Sequence, residues 1–355
     1  MNYFTESIFQ ELKGYLGVIS FKHILNTTKK FKEYKKTFLY WKLNEEYSFK
    51  YYSDMGFYNY INKEIIVYAN KQLSIKIKNR DEVTDVSHLS KVHTLELYRC
   101  SNVTDDSVKC LGHCDKLKLS GCSNITDNSI KYLGNVRVLI LSNCNKITDV
   151  SSLGNVYHLD LSNCIYLKNV SSLGKVHNLY LRNTNISDVS ALGQVHHLDI
   201  SYTGINDVSS LGEVHTLNLS GCNRLTDVSP LGKNHYLNLH RTNIIDVSSL
   251  GNIHNLNLWE CTNIDRSVRF LRNVHTLCLW GCRQITDEDI KFLGNIHTLN
   301  LSWCVNITNE GIKYLGNVHT LQLCQCYHVN TDTLKLLKNV VSLKFYGGDM
   351  VKYNR

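Results

Sequence analysis

A chain of 355 residues exceeds the usual size of one domain, so either two domains or one extended repeat array is expected. With 43% apolar and 20% charged residues, it is neither a disordered chain nor, lacking any run of roughly 20 apolar residues, one that crosses a bilayer as a helix. Of the net charge of +8, +7 sits in residues 1–80, which hold 14 Lys and Arg against 7 Asp and Glu, while the remainder holds 25 against 24.

From Met1 to Leu16 the charges of Glu6, Glu11 and Lys13 interrupt anything like the apolar core of a secretory signal, so a cytoplasmic, intracellular protein is expected. Apolar stripes at helical spacing follow one another: Ile8, Leu12, Tyr15 and Leu16; then Phe21, Ile24 and Leu25; then Phe31, Tyr34, Phe38 and Trp41. They predict three or more short helices in a head spanning residues 1–70. The basic run Lys29, Lys30, Lys32, Lys35 and Lys36 reads as a solvated helix face, and neither nucleic acid nor membrane is expected as a partner.

From residue 71 to 355 one pattern recurs: two apolar residues flanking a variable one, from Ile75/Ile77 and Leu95/Leu97 to Leu321/Leu323 and Leu343/Phe345, at steps of 19 to 22 residues. Alternation of period two makes each a short strand with its apolar pair inward. Stacked about 4.8 Å apart, about 14 such strands form one parallel sheet, an α/β solenoid with its sheet on the concave face. Five residues after the first leucine stands Cys100, Cys122, Cys144, Cys164, Cys222, Cys261, Cys282, Cys304 or Cys326, or else Thr184, Thr203 or Thr242. A small inward residue there hydrogen-bonds the turning backbone, and free thiols fit a reducing compartment. Ile-Thr-Asp or a close variant follows, where Asp caps a convex helical turn: a short α-turn in the long coils, as over Asn128–Leu133, and 3₁₀ in the short ones, as over Val208–Leu211. Gly134, Gly154, Gly212 and Gly316 are among the glycines that close coils, a placement that predicts positive φ.

These units resemble leucine-rich repeats. The outer 22-residue ones are similar to the cysteine-containing subtype typical of F-box proteins, and the central Thr-x-Ile-x-Asp-Val-Ser-x-Leu units to the short repeats of internalin-like proteins. The head resembles an F-box in Ile8-Phe9-Gln10-Glu11-Leu12, Tyr15-Leu16, Phe21-Lys22-His23-Ile24-Leu25, Lys30-Phe31 and Tyr40-Trp41-Lys42-Leu43, although Ser7-Ile8 stands where the motif usually opens with leucine-proline. Head followed by repeats is similar to the repeat families of large DNA viruses, for which host-cell cytoplasm is the implied location. The resemblance implies a substrate receptor that docks on an SCF-type ubiquitin-ligase adaptor through Ile8, Leu12, Leu16, Phe21 and Leu25. The alternative is a head that only caps the apolar end of the solenoid.

With the leucines inward, the variable residues face the concave side. The candidate partner-binding residues there are Tyr98, Tyr180, Arg182, Tyr202, Tyr236, His240, Arg241, Trp259, Trp280, Trp303 and Tyr346, with Trp259 and Trp280 expected to stack about 5 Å apart as the centre of a target-protein site. Two residues before the first leucine, His93, His177, His196, His215, His235, His254, His275, His297 and His319 form a column. One imidazole per coil in a line does not converge as zinc requires, so no metal site and no cofactor is read from it. A structural ladder that weakens in acid is expected, because neighbouring imidazolium groups about 5 Å apart repel by roughly 1 kcal/mol. No phosphate-cradling loop or nucleophile beside a base is evident, which predicts a binding protein, not an enzyme. The last strand, around Leu343–Phe345, leaves an open edge, so the oligomeric expectation is a monomer or a dimer through the C-terminal end.

Overall fold

The computed structural model describes residues 40–63, 72–346 and 352–354; the side chains of 40, 41, 60 and 352–354 are not described. The chain divides into two compact units, Met1–Asp160 and Leu161–Arg355. Among the described residues no helix is long and apolar enough to cross a membrane.

In the first unit, strand β1 (Tyr40–Lys42) pairs in parallel with β2 (Gln72–Lys78), and the order continues through Thr94–Tyr98, Lys116–Lys118, Val138–Ile140 and His158–Asp160. In the second unit nine parallel strands run from Asn178–Tyr180 to Ser342–Tyr346. All fourteen positions read from the sequence are strands, and their apolar pairs are buried, from Ile75 and Ile77 to Leu343 and Phe345. The register places leucine beside leucine, as Leu237 beside Leu256. The residue three before the first leucine is buried too; where Asn234 replaces the usual Val or Ile, its amide donates to the carbonyls of Leu211 (3.0 Å) and Val214 (2.5 Å).

Each strand from Gln72–Lys78 to Thr320–Cys324 is followed by a residue in the left-handed region: Asn143, Asn163, Asn183, Tyr202, Arg241, Glu260, Trp303 and Gln325 have φ of 54° to 63°, with Gly121, Gly221 and Gly281 at the same step. An L residue there costs about 1–2 kcal/mol. The conformation is held because the N–H stays in the ladder, as when Tyr202 donates to the Ser220 carbonyl and Trp303 to that of Cys324, both at 2.8 Å. The next residue then turns inward. Thr203 and Thr242 donate to the carbonyls of Ile200 and Leu239 in their own coils (2.6 and 2.7 Å), whereas the thiols of Cys222 and Cys261 donate back to those same carbonyls from the following coil (3.3 and 3.0 Å). The ladder cysteines are free and buried, and burial pushes the Cys122 and Cys326 thiols up to about 12, which keeps them protonated.

The convex turns follow the two expected types, α over Asp127–Ile130 and 3₁₀ over Ser209–Leu211. In short coils aspartate caps its own turn: Asp149, Asp188, Asp207 and Asp227 each accept from the N–H two residues on, which lowers their carboxyl pKa values. In long coils it reaches the next coil instead, Asp127 accepting from the Thr148 N–H and hydroxyl at 2.8 and 2.6 Å.

Three expectations are corrected. The coil-closing glycines do not have positive φ; Gly154, Gly212 and Gly316 lie near −60°. At Gly134 and Gly212 glycine is needed for space, since a Cβ would sit 2.3 Å from the Ser152 carbonyl oxygen in the first and 2.6 Å from that of Pro230 in the second. Tyr40-Trp41-Lys42, read as the end of a head helix, is instead a strand, because its backbone extends the parallel ladder: the Leu43 N–H bonds the Ser74 carbonyl and Leu43 is buried beyond it. Finally, the edge expected to be open at Leu343–Phe345 is paired antiparallel by Lys352–Asn354, which becomes the last strand of the sheet. The head residues Ile8, Leu12, Leu16, Phe21 and Leu25 lie outside the described residues.

Helices α1 (Glu45–Ser53) and α2 (Met55–Ile61) follow β1. Asn44 and Asp54 cap them, accepting from the N–H groups of Tyr47 and Phe57. Buried Ser48 accepts from the Lys76 N–H and donates to the Leu43 carbonyl, and the Tyr58 hydroxyl donates to the carbonyl of His88.

The glycine correction is checked by thermal unfolding. Gly134→Ala and Gly212→Ala should each lose about 1–3 kcal/mol through forced overlap. Gly316→Ala, with nothing within 4 Å of the added carbon, should stay within about 1 kcal/mol of wild type.

Candidate functional site

Alternation along each strand puts the residues before, between and after the leucines on the concave face, and the left-handed residue that ends the strand forms its lip. In the second unit this geometry joins side chains from consecutive coils into an aromatic run. His240 stacks on Trp259 (4.4 Å, 15°), Trp259 meets Trp280 edge to face (5.0 Å, 76°), Trp280 lies 5.9 Å from Trp303, and Trp303 lies 6.4 Å from Tyr327. The spacing of Trp259 and Trp280 is the one expected, but their planes cross where stacking was expected, an arrangement that sets ring edge against π face. Trp259 keeps 37% of its surface exposed, and Trp280 and Trp303 are half-buried.

Glycine interrupts the lip column at Gly121, Gly221 and Gly281. Glu260 and Trp303 flank Gly281, and the missing side chain opens a hollow of about 430 Å³ floored by Trp280 and lined also by Thr262 and Arg283. Glu260 pairs with Arg241 and lies 4.0 Å from His240 Nε2. That nitrogen is buried without a hydrogen-bond partner. Burial holds the His240 pKa below the ordinary value, with Arg241 adding to the shift and Glu260 opposing it. The site is therefore apolar at its floor, with a paired Glu and Arg at its rim.

His240, Arg241, Trp259, Trp280 and Trp303 thus come together. Arg182 and Tyr202 form a second cluster, the guanidinium 4.6 Å from the ring centroid. Tyr202 packs over Gly221, where a Cβ would meet its ring at 2.7 Å. Tyr236 opens its strand with 37% exposure, Tyr346 ends the last parallel strand with 39%, and Tyr180 is half-buried. In the first unit, Tyr98 belongs to a charged cluster: its ring lies 5.3 Å from Lys76 Nζ, and Glu96 bridges Lys76 and Lys118 at 3.7 and 2.8 Å. Two members of the aromatic site escaped the sequence reading. Glu260 occupies the lip column, a signal present in the spacing, whereas Tyr327 reaches the run from beyond its cysteine, which no column marks.

The histidine column in the second unit is a stack of eight imidazoles, from His177 to His319, with centroids 4.4 to 4.8 Å apart and planes within 12° to 21°. In most coils Nδ1 lies against the next side chain, as His275 to Thr276 and His297 to Thr298 at 3.3 and 3.2 Å. In the first unit the column holds His93, Asp115 and Arg137, the guanidinium gripping the carboxylate through two hydrogen bonds.

Comparison with known proteins agrees with this geometry. The family model described as "Leucine Rich repeat" matches residues 295–316. An internalin (inlF) from Listeria monocytogenes superposes with a TM-score of 0.59 at 23% identity, over 77% of this chain and 86% of that one. The fold is a leucine-rich-repeat solenoid. The functional domain of InlJ from the same organism, described as including a cysteine ladder, has a TM-score of 0.48 at 18% identity over 76% of this chain and 72% of that one. A leucine-rich-repeat protein of Leptospira interrogans has 0.47 at 18% over 78% and 90%. No curated protein matches the chain.

The imidazole stack gives the solenoid a pH dependence of defined sign. Burial, with the neighbouring imidazoles adding to it, lowers the pKa values of His235 and His275 in the fold. The unfolded chain therefore binds more protons, and stability falls as pH drops through the ordinary histidine value near 6.5. Thermal midpoints between pH 7.5 and 5.5 should decline, and less steeply in His275→Gln; a flat profile would exclude this linkage.

Proposed function

We propose that this chain is a protein-binding solenoid that recruits a target through the concave aromatic run His240–Trp259–Trp280–Trp303 and its rim of Arg241 and Glu260. What supports the reading most is that three tryptophans from successive coils share one surface while keeping ring area in water. Tryptophan, tyrosine and arginine dominate protein-binding hot spots, and water-facing aromatic area is costly to maintain. Tyr236 and the Arg182–Tyr202 pair extend the surface, with Tyr98, Tyr180 and Tyr346 as outlying members.

The finer reading is an F-box-type substrate receptor that brings this target to a ubiquitin ligase. It rests on the motif resemblance of the head, with Ile8, Leu12, Leu16, Phe21 and Leu25 contacting an SCF-type adaptor. The strand at Tyr40–Lys42 removes the last motif piece from that comparison. The same strand, with α1 and α2 bonded to the coil beyond it, favours a second reading: an interaction scaffold whose N-terminal segment caps the solenoid.

Affinity capture followed by mass spectrometry tests the surface. A Trp259→Ala, Trp280→Ala double variant that still unfolds cooperatively should lose partners held by wild type by at least about 30-fold, the scale of one hot spot of 2 kcal/mol. Equal retention would move the site elsewhere. For the head, full-length Leu12→Asp, Leu16→Asp should fail to capture a recombinant adaptor that wild type captures; if wild type also fails, the scaffold reading stands.

A further inference from the structure

The sequence places one histidine per coil in a line, which by itself offers neighbouring rings in pairs and no third ligand beside them. At one point the line is broken. His196 is followed by a second histidine, His197, which projects from the concave column beside it. The rings of His196 and His197 lie 4.4 Å apart and nearly at right angles (65°), and His177 stacks on His196 from the preceding coil at 4.7 Å. One nitrogen from each of the three lies within 4.8 Å of the others.

His196 also differs from other members of the stack. Where His215, His254, His275, His297 and His319 place Nδ1 against the threonine or asparagine that follows, His196 has an imidazole there, and its Nδ1 is buried without a hydrogen-bond partner. Asp199, the nearest carboxylate along the strand, is engaged by the Ser201 N–H and the Asn218 amide at 2.9 and 3.0 Å.

We propose that His177, His196 and His197 form a binding site for a divalent transition-metal ion, zinc in the first instance. Neutral imidazole suits zinc, copper and nickel, not the hard oxygen-seeking cations. Zinc takes nitrogen ligands at about 2.0–2.1 Å, so tetrahedral ligands stand roughly 3.4 Å apart; nitrogens now within 4.8 Å of one another close to that spacing when side-chain rotation turns His177 and His196 out of their 19° stack, so that their in-plane lone pairs meet that of His197. Three protein ligands leave a position for water. The site lies two coils before His240, where the aromatic run begins, and it does not rest on that surface binding a protein.

The test is calorimetric titration of the full chain, stripped with chelator, with ZnCl₂, alongside the visible absorption of the Co²⁺ form. Wild type should bind one ion, with the Co²⁺ spectrum of a four-coordinate site. His197→Asn, which installs a residue found at the same position in the coils of Asn178 and Asn255, should fold normally and bind at least about tenfold more weakly, having lost one of three ligands. His297→Gln, which interrupts the stack elsewhere, should bind as wild type does. Absence of stoichiometric binding to wild type, unchanged affinity in His197→Asn, or an equal loss in His297→Gln would each overturn the assignment.

Discussion

Every feature of this protein depends on successive coils lying at one height and one register. A three-residue strand has no stability of its own. It is held by the ladder to its neighbours, by an inward leucine pair touching the pairs on either side, and by a left-handed exit that returns the chain to the interior. The constraint is tight: on the convex side a glycine Cβ would overlap the next coil's carbonyl, and beneath the strand the carbonyls of Ile200 and Leu239 each accept a hydroxyl from their own coil and a thiol from the next. Loss of one inward leucine leaves a cavity of the kind that costs about 2–5 kcal/mol elsewhere, with the added effect of loosening the register of both adjacent coils.

That register converts sequence columns into physical ladders. Side chains at one step of the repeat become neighbours in space whether or not they interact usefully, so the same geometry yields a thiol ladder in the core, a stack of imidazoles before the strands and an aromatic run on the concave face. Composition of a column then decides its chemistry. Where the histidine column receives Asp115 and Arg137 it becomes an ion-paired ladder, and where the lip column receives Gly281 between Glu260 and Trp303 it becomes a hollow.

Much of this was legible in the sequence because a period of 19 to 22 residues fixes which side chains face in and which face out. The leucine pairs, the ladder cysteines, both turn types and the proximity of Trp259, Trp280 and Trp303 follow from spacing alone. What spacing does not carry is contact geometry. It places glycine at the close of a coil without saying whether φ or volume requires it, and it counts one histidine per coil without seeing that His197 turns back toward His177 and His196. It also fails where the repeat is masked by other patterns: Tyr40–Lys42 carries aromatic and basic residues that read as a helix end, and Lys352–Asn354 pairs antiparallel, outside the repeat.

The claim that function resides on the concave aromatic surface is tested most directly by site-specific photocrosslinking. A benzophenone amino acid placed at Tyr236, on the concave strand face beside the run, should give a discrete covalent adduct with a partner protein in lysate. The same group at Phe292, exposed on the convex side, should give none. Adducts formed from Phe292 and not from Tyr236 would contradict the account.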